Sequence, residues 1–143
     1  FFKKIKYNFS MNEKILHFFK NHKLLSLAMC DDEGVYSASA FYAFDEENLA
    51  LVIASYEETK HIKLASKNPN IAINIAKESK IALLKGIQAK AIFKEATKKQ
   101  EDIYYAKFPF AKLSNAKIYA LNLSWAKLTD NTLMLEKKLE FKR

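Results

Sequence analysis

The sequence predicts a mainly β (α+β) fold: a closed, mostly antiparallel barrel of about six to seven strands with three short helices around it. Three observations carry that prediction. Short apolar runs recur along the chain with polar turn residues between them, as at Asp31-Asp32-Glu33-Gly34 and Asp45-Glu46-Glu47-Asn48. Ile71, Ile73 and Ile75 alternate with Ala72 and Asn74, the period of a half-buried strand. Three segments have helical character instead, opening at Asn12, Thr59 and Thr97. No internal repeat, linker or low-complexity tract divides the chain, so residues 1–143 read as a single domain.

Residues 1–11 precede the first element and read as a loosely packed N-terminal extension. The lysines there are followed by no long apolar stretch of the kind a signal peptide or anchor needs. Asn12 then caps a helix reaching Asn21, with Ile15, Leu16, Phe18 and Phe19 on its apolar side. Leu24 to Cys30 is a strand, and Gly34 supplies positive φ to the hairpin turn after it. Val35 to Phe44 and Leu49 to Ser55 follow as antiparallel neighbours. The continuous apolar run from Leu49 to Ala54 is short enough to be a strand buried on both faces. A helix opens at Thr59 and closes at Asn68, because Pro69 cannot continue it. Asn70 to Ala76 is the alternating strand, and Ile81 to Lys94 is long enough to bend round a barrel. Thr97 to Phe108 is helical and ends at Pro109, with Tyr104 and Tyr105 near its end. From Ile118 to Trp125, the residues Tyr119, Leu121, Leu123 and Trp125 share a face, and such stripes face a core more often than a cofactor. Thr129 to Thr132 reads as a turn and Leu133 to Phe141 as the closing strand.

The stretch from Ser37 to Asn70 organises the function. A helix start leaves unpaired backbone N–H groups and a partial positive charge, a setting that suits an anion. Here that start carries Thr59, Lys60, His61 and Lys63, each able to donate to phosphate oxygens. The residues alone leave two readings open: a cap with solvated lysines, or a phosphate grip. Along the strand from Ile81, Gly86, Gln88, Lys90 and Ile92 share one face. Glycine beside glutamine either admits something flat that Gln88 can hydrogen-bond, or marks a β-bulge beside an exposed amide.

Composition narrows the classes. Half the residues are hydrophobic, which excludes a disordered tail. Cys30 is the only cysteine, so no internal disulfide forms and a reducing cytoplasmic setting fits. With three histidines and no HExxH or CxxC, no metal site follows from spacing. The net charge of +8 admits a polyanionic partner. Arg143 is the only arginine, however, and the lysines are dispersed, a pattern of solubilising surface more than of nucleic-acid recognition.

The spacing Thr59-x-His61-x-Lys63, followed by Asn68-Pro69, resembles the phosphate-gripping segment of the flavin-binding split-barrel superfamily that includes pyridoxamine-phosphate oxidase. A closer resemblance is to its YhbP-type family. The matching pieces are Ala40 to Asp45, Glu57 to His61, Leu84 to Lys90, Phe108-Pro109-x-Ala111, Lys127 to Leu133 and Lys137-Lys138, in that order. The resemblance implies a split β-barrel, a homodimer and flavin mononucleotide (FMN) at the subunit interface. It also implies that Thr59 and Lys60 hold the phosphate with His61 and Lys63 beside it. Ser37, Ala38, Ser39 and Ala40 would lie under the flavin ring, giving backbone groups to its pyrimidine edge, with Gln88 near it. Two departures matter. Lys60 stands where pyridoxamine-phosphate oxidases use arginine, and lysine is a less directional phosphate partner. Their arginine- and histidine-bearing C-terminal substrate motif is replaced by Glu136 to Phe141, so pyridoxamine-phosphate oxidation is not expected. Three function classes follow: a flavin-dependent oxidoreductase of a small molecule, a non-catalytic flavin-binding or cofactor-free sensor, and a basic nucleic-acid-binding barrel.

Overall fold

Strand pairing alone closes the molecule. The computed structural model describes residues 11–133 and 138–143. Its strands are β1 (Leu24–Asp31), β2 (Gly34–Asp45), β3 (Ala50–Ser55), β4 (Asn70–Ala76), β5 (Lys85–Glu95), β6 (Lys117–Asp130) and β7 (Lys138–Lys142). They lie in the order β3-β2-β1-β4-β5-β6-β7, and β3 pairs back onto β6 to close a barrel. Every pairing is antiparallel. The long β6 makes both closure and split possible. One of its edges runs along β5, while the other is shared between β3 (at residues 117–122) and β7 (at residues 125–129).

The alternation in the sequence places the core. Leu25, Leu27 and Met29, then Ile71, Ile73 and Ile75, then Ile87, Ala89 and Ala91 all point into the barrel. Helix α1 (Glu13–Asn21) closes one end with Ile15, Phe18 and Phe19 buried, and its N-cap Asn12 accepts the Lys14 N–H at 2.8 Å. Helix α2 (Lys60–Lys67) buries Ile62, Leu64 and Ala65. Helix α3 (Lys98–Lys107) lies outside the barrel, where Tyr104 packs with Ala43, Val52 and Ile118. That outer layer explains the unbroken apolar run of β3: Leu51 and Ile53 belong to the barrel core, and Val52 lies under α3. The buried Asp45 side chain accepts from Asn48 and from the Gln100 amide at 3.0 Å, tying the β2–β3 turn to the start of α3.

Several expectations need correction. Ile81–Leu83 forms a single 3-10 turn, so β5 begins only at Lys85. Leu49 is not in the strand but sits in the turn before it, at φ 50°. The segment Thr129–Asp130 still belongs to β6. The turn begins after it, where Asp130 accepts from the Thr132 N–H and hydroxyl. The closing strand is described over Lys138–Lys142; Leu133 is not in a strand, and 134–137 lie outside the described residues. Of the proposed loose extension only Met11 is described, and it is buried in the core. Trp125 leaves the core stripe because Ser124 has no partner on β5, a β-bulge that reverses the alternation. Leu123 and Ala126 therefore face inward and Trp125 faces out.

Thr59 stands at the N-cap position as expected, but its side chain does not cap the helix. Its hydroxyl donates to the Tyr56 carbonyl at 2.8 Å and makes no cap bond. Thr97 instead forms a complete capping box with Gln100. Thr97→Ala should therefore cost about 1 kcal/mol of stability, and Thr59→Ala much less. Urea unfolding of the two variants checks this contrast.

Candidate functional site

The site grows from an edge that barrel closure leaves unpaired. β2 pairs with β1 from Gly34 through Phe41, but with β3 only from Tyr42 through Asp45. The Tyr42 N–H bonds the Lys23 carbonyl at 2.8 Å, which fixes the alternation of the ladder. Even-numbered residues of β2 thus direct their backbone groups to β1. Val35, Ser37, Ser39 and Phe41 direct theirs to the open edge, where no strand lies among the described residues. Of the four residues expected under a flavin ring, only Ser37 and Ser39 direct backbone groups to this edge, without a strand partner among the described residues. Ala38 and Ala40 spend theirs on β1 and pack partly buried against the core.

At one end of this edge a polar cluster joins β3 to α2. Ser55 Oγ, at the last position of β3, lies 2.7 Å from His61 Nε2. Thr59 Oγ1 lies 3.4 Å from the same nitrogen and 3.5 Å from Ser55 Oγ. The turn from Tyr56 to Thr59 brings these groups together, closed by the Thr59 N–H on the Tyr56 carbonyl at 3.1 Å. Because the Thr59 hydroxyl turns to that carbonyl, the first-turn N–H groups of α2 receive no side-chain cap. Lys60 Nζ sits 4.7 Å from the centre of the Tyr36 ring, a cation–π contact that links the helix start to β2. Lys63 is exposed one turn further along α2. No acidic residue occupies the first turn, and Glu57 in the preceding turn is engaged by Lys117 at 3.1 Å. Burial pushes the His61 pKa below the usual imidazole value, so the ring is neutral near pH 7. The structure thus brings together Thr59, Lys60 and His61. It adds Ser55 and Tyr36, which sequence reasoning missed: Ser55 was hidden as the end of an apolar run, and Tyr36 as one more strand aromatic.

Gln88 lies on β5, apart from the His61 cluster. It is exposed on the outer face of β5, opposite Asn74 on β4 and Lys127 on β6. There it shares a shallow depression of about 410 Å³ with Ser26, Ala28, Ser37, Ala72 and Trp125. Gly86 is regularly paired with Ala76 and Thr129, and the bulge sits at Ser124 instead. A Cβ at residue 86 would lie 3.3 Å from the Ile75 carbonyl, so close strand packing accounts for this glycine. Among the described residues no group of three or more His, Cys, Asp or Glu could hold a metal ion. No helix among them is long and apolar enough to cross a membrane.

A six-stranded antiparallel barrel with one extra strand and an open β2 edge beside a hydroxyl–imidazole–ammonium cluster defines a split-barrel protein. Solved structures share this fold. The heme binding protein from Mycobacterium smegmatis superposes with a TM-score of 0.70 at 13% identity, over 84% of this chain and 52% of its own. A FAD-binding protein from Mesorhizobium loti gives 0.69 at 12% identity, over 83% of this chain and 94% of its own. No family model matches the chain. Full-length relatives nevertheless place it: the chain belongs to the UPF0306 family. It is 67% identical over 132 residues to the UPF0306 protein Cj1449c of Campylobacter jejuni, covering 92% of this chain and 98% of that protein. A UPF0306 protein of Yersinia pseudotuberculosis is 35% identical over 134 residues, covering 90% and 91%.

Proposed function

We propose that this protein is an FMN-binding member of the pyridoxamine-phosphate-oxidase-like superfamily, of the YhbP type. It acts in the cytoplasm as a homodimeric oxidoreductase of a small molecule. The observation that carries the reading is the adjacency of the open β2 edge to the Ser55–Thr59–His61 cluster through the Lys60–Tyr36 contact. The residues fit the group. A phosphate at the start of α2 meets uncapped N–H donors, the hydroxyls of Ser55 and Thr59, the His61 imidazole and the Lys60 ammonium, with Lys63 adding charge. The backbone groups that Ser37 and Ser39 direct to the open edge suit the donor–acceptor edge of a flavin ring. Bound FMN supplies the redox chemistry, while the chain binds it, orients it and shields one face. A sensor without turnover would use the same site, and a redox assay separates the two.

His61 makes binding pH-dependent in a defined direction. Burial holds its pKa low in the free protein, and a bound phosphate favours the imidazolium. The complex then carries more protons than the free protein between the two pKa values. Affinity therefore rises as pH falls through that window, around and below the ordinary imidazole value of about 6.5. The phosphate titrates in the same range, near about pH 6, so His61→Gln serves as the reference. Fluorescence quenching of FMN from pH 8 to 5.5 should show a steeper acid gain for the wild type. Coincident profiles would remove His61 from the phosphate contact.

The depression holding Ser26, Ala28, Ser37, Ala72 and Trp125 suits a second copy, since small side chains let two sheets approach and half-buried Trp125 gains cover. Light scattering at micromolar concentration should report a dimer, shifted towards monomer by Ala28→Arg. A monomeric wild type would refute the dimer.

A further inference from the structure

We propose that a groove lined by Lys20, Lys23, Lys77 and Lys107, beside the start of β1, binds a pyrophosphate-bearing small molecule. The groove encloses about 470 Å³. Its four ammonium-bearing residues come from separate segments: α1, the α1–β1 link, the residue after β4 and the last residue of α3. No carboxylate lines it among the described residues, and of the four only Lys20 has an acidic partner there, Glu46 at 2.7 Å. The excess positive charge is therefore local, unlike the dispersed lysines elsewhere.

Lys107 is fixed in place. Its Nζ donates to the His22 carbonyl at 3.1 Å and to the Tyr42 carbonyl at 3.0 Å, and lies 5.1 Å from the centre of the Tyr42 ring. The His22 carbonyl stands at the negative end of α1, so Lys107 covers one of the groups that would repel an anion. Partial burial, and then the charge of Lys23, push the Lys107 pKa down, a cost that a bound anion would relieve. Three ammonium groups without carboxylate partners match the roughly three negative charges of a pyrophosphate group better than those of a single carboxylate.

The groove also has an apolar margin. Leu24 lines it and pairs across the ladder with Phe41, each 51% exposed. The Phe108 ring lies 6.0 Å from that of Phe41. Phe41 is the last residue of the open edge, while Tyr36, under Lys60, marks the other end. A strand spans about 17 Å over that interval. A ligand anchored by its pyrophosphate can lay a flat or apolar body over Leu24 and Phe41, towards the open edge. Its role as the redox substrate rests on the flavin reading, whereas its binding does not.

Calorimetric titration of the full flavin-free chain with inorganic pyrophosphate at low salt tests the site. The comparison proteins are Lys23→Gln/Lys77→Gln and Lys60→Ala. Both groove lysines are exposed, so circular dichroism should be unchanged. Wild type and Lys60→Ala should bind pyrophosphate alike at the groove, with any binding at the start of α2 appearing as a second, Lys60-dependent event. The groove event should be at least about tenfold weaker in the double variant. Absence of binding in the wild type, or equal affinity in the double variant, overturns the proposal. So does loss of all binding in Lys60→Ala alone, which would assign the anion to α2. Preference for a single-stranded oligonucleotide over pyrophosphate would make the groove a nucleic-acid surface and equally overturn it. Pyrophosphate binding by a protein that ignores FMN would retain the groove and reject the flavin.

Discussion

Phe19→Ala should lower the stability of the folded protein by about 3–5 kcal/mol, the cost of truncating a fully buried phenylalanine. Phe19 is 0% exposed and stacks on Phe44 with ring centroids 5.3 Å apart. Its backbone carbonyl also accepts the buried Tyr42 hydroxyl at 2.8 Å. Helix α1 is joined to the rest of the molecule largely through Ile15, Phe18 and Phe19, so a cavity there loosens the whole end of the barrel. At this chain length the melting temperature should fall by about 10 °C or more. Phe110, 86% exposed beyond α3, provides the contrast: Phe110→Ala should stay within about 0.5 kcal/mol of the wild type. Thermal unfolding of the two variants reads both numbers.

Lys60→Ala should weaken FMN binding by about ten- to a hundredfold while leaving stability unchanged. A charge-assisted hydrogen bond to phosphate is worth about 1.5–3 kcal/mol. Lys60 is an exposed side chain whose described contact is the Tyr36 ring, so the fold loses little with it. Thr59→Ala should cost less, because its hydroxyl already donates to Tyr56 and offers phosphate only a shared position. Equal FMN affinity in wild type and Lys60→Ala would take the phosphate away from the start of α2.

Much of this fold was legible because its signals are local. The Ile71, Ile73, Ile75 alternation, the Gly34 turn and the stop at Pro69 each act within a few residues, and each appears in place. The failures have other causes, and one of them depends on a partner far along the chain. Trp125 left the core because β6 bulges opposite β5, and only the register across two strands reveals that. Leu49 continues the apolar run in sequence, yet it sits at positive φ in the turn that Asn48 closes on Asp45. Thr59 had the residue type and position of a cap, yet the local turn claimed its hydroxyl. The candidate site was half legible. Thr59, Lys60 and His61 could be named from their spacing at a helix start. Ser55 and the odd-numbered rule along β2 could not, because both arise only when β3 leaves β2 at Tyr42 to pair with β6.

The central claim is that the open β2 edge and the start of α2 together hold a flavin by its phosphate. Titrating FMN and riboflavin into the wild-type protein, followed by flavin fluorescence, tests it most directly, because the two ligands differ only in that phosphate. FMN should be quenched to saturation, and riboflavin should bind at least about tenfold more weakly. Equal affinity for the two flavins, or no quenching by either, would contradict the account.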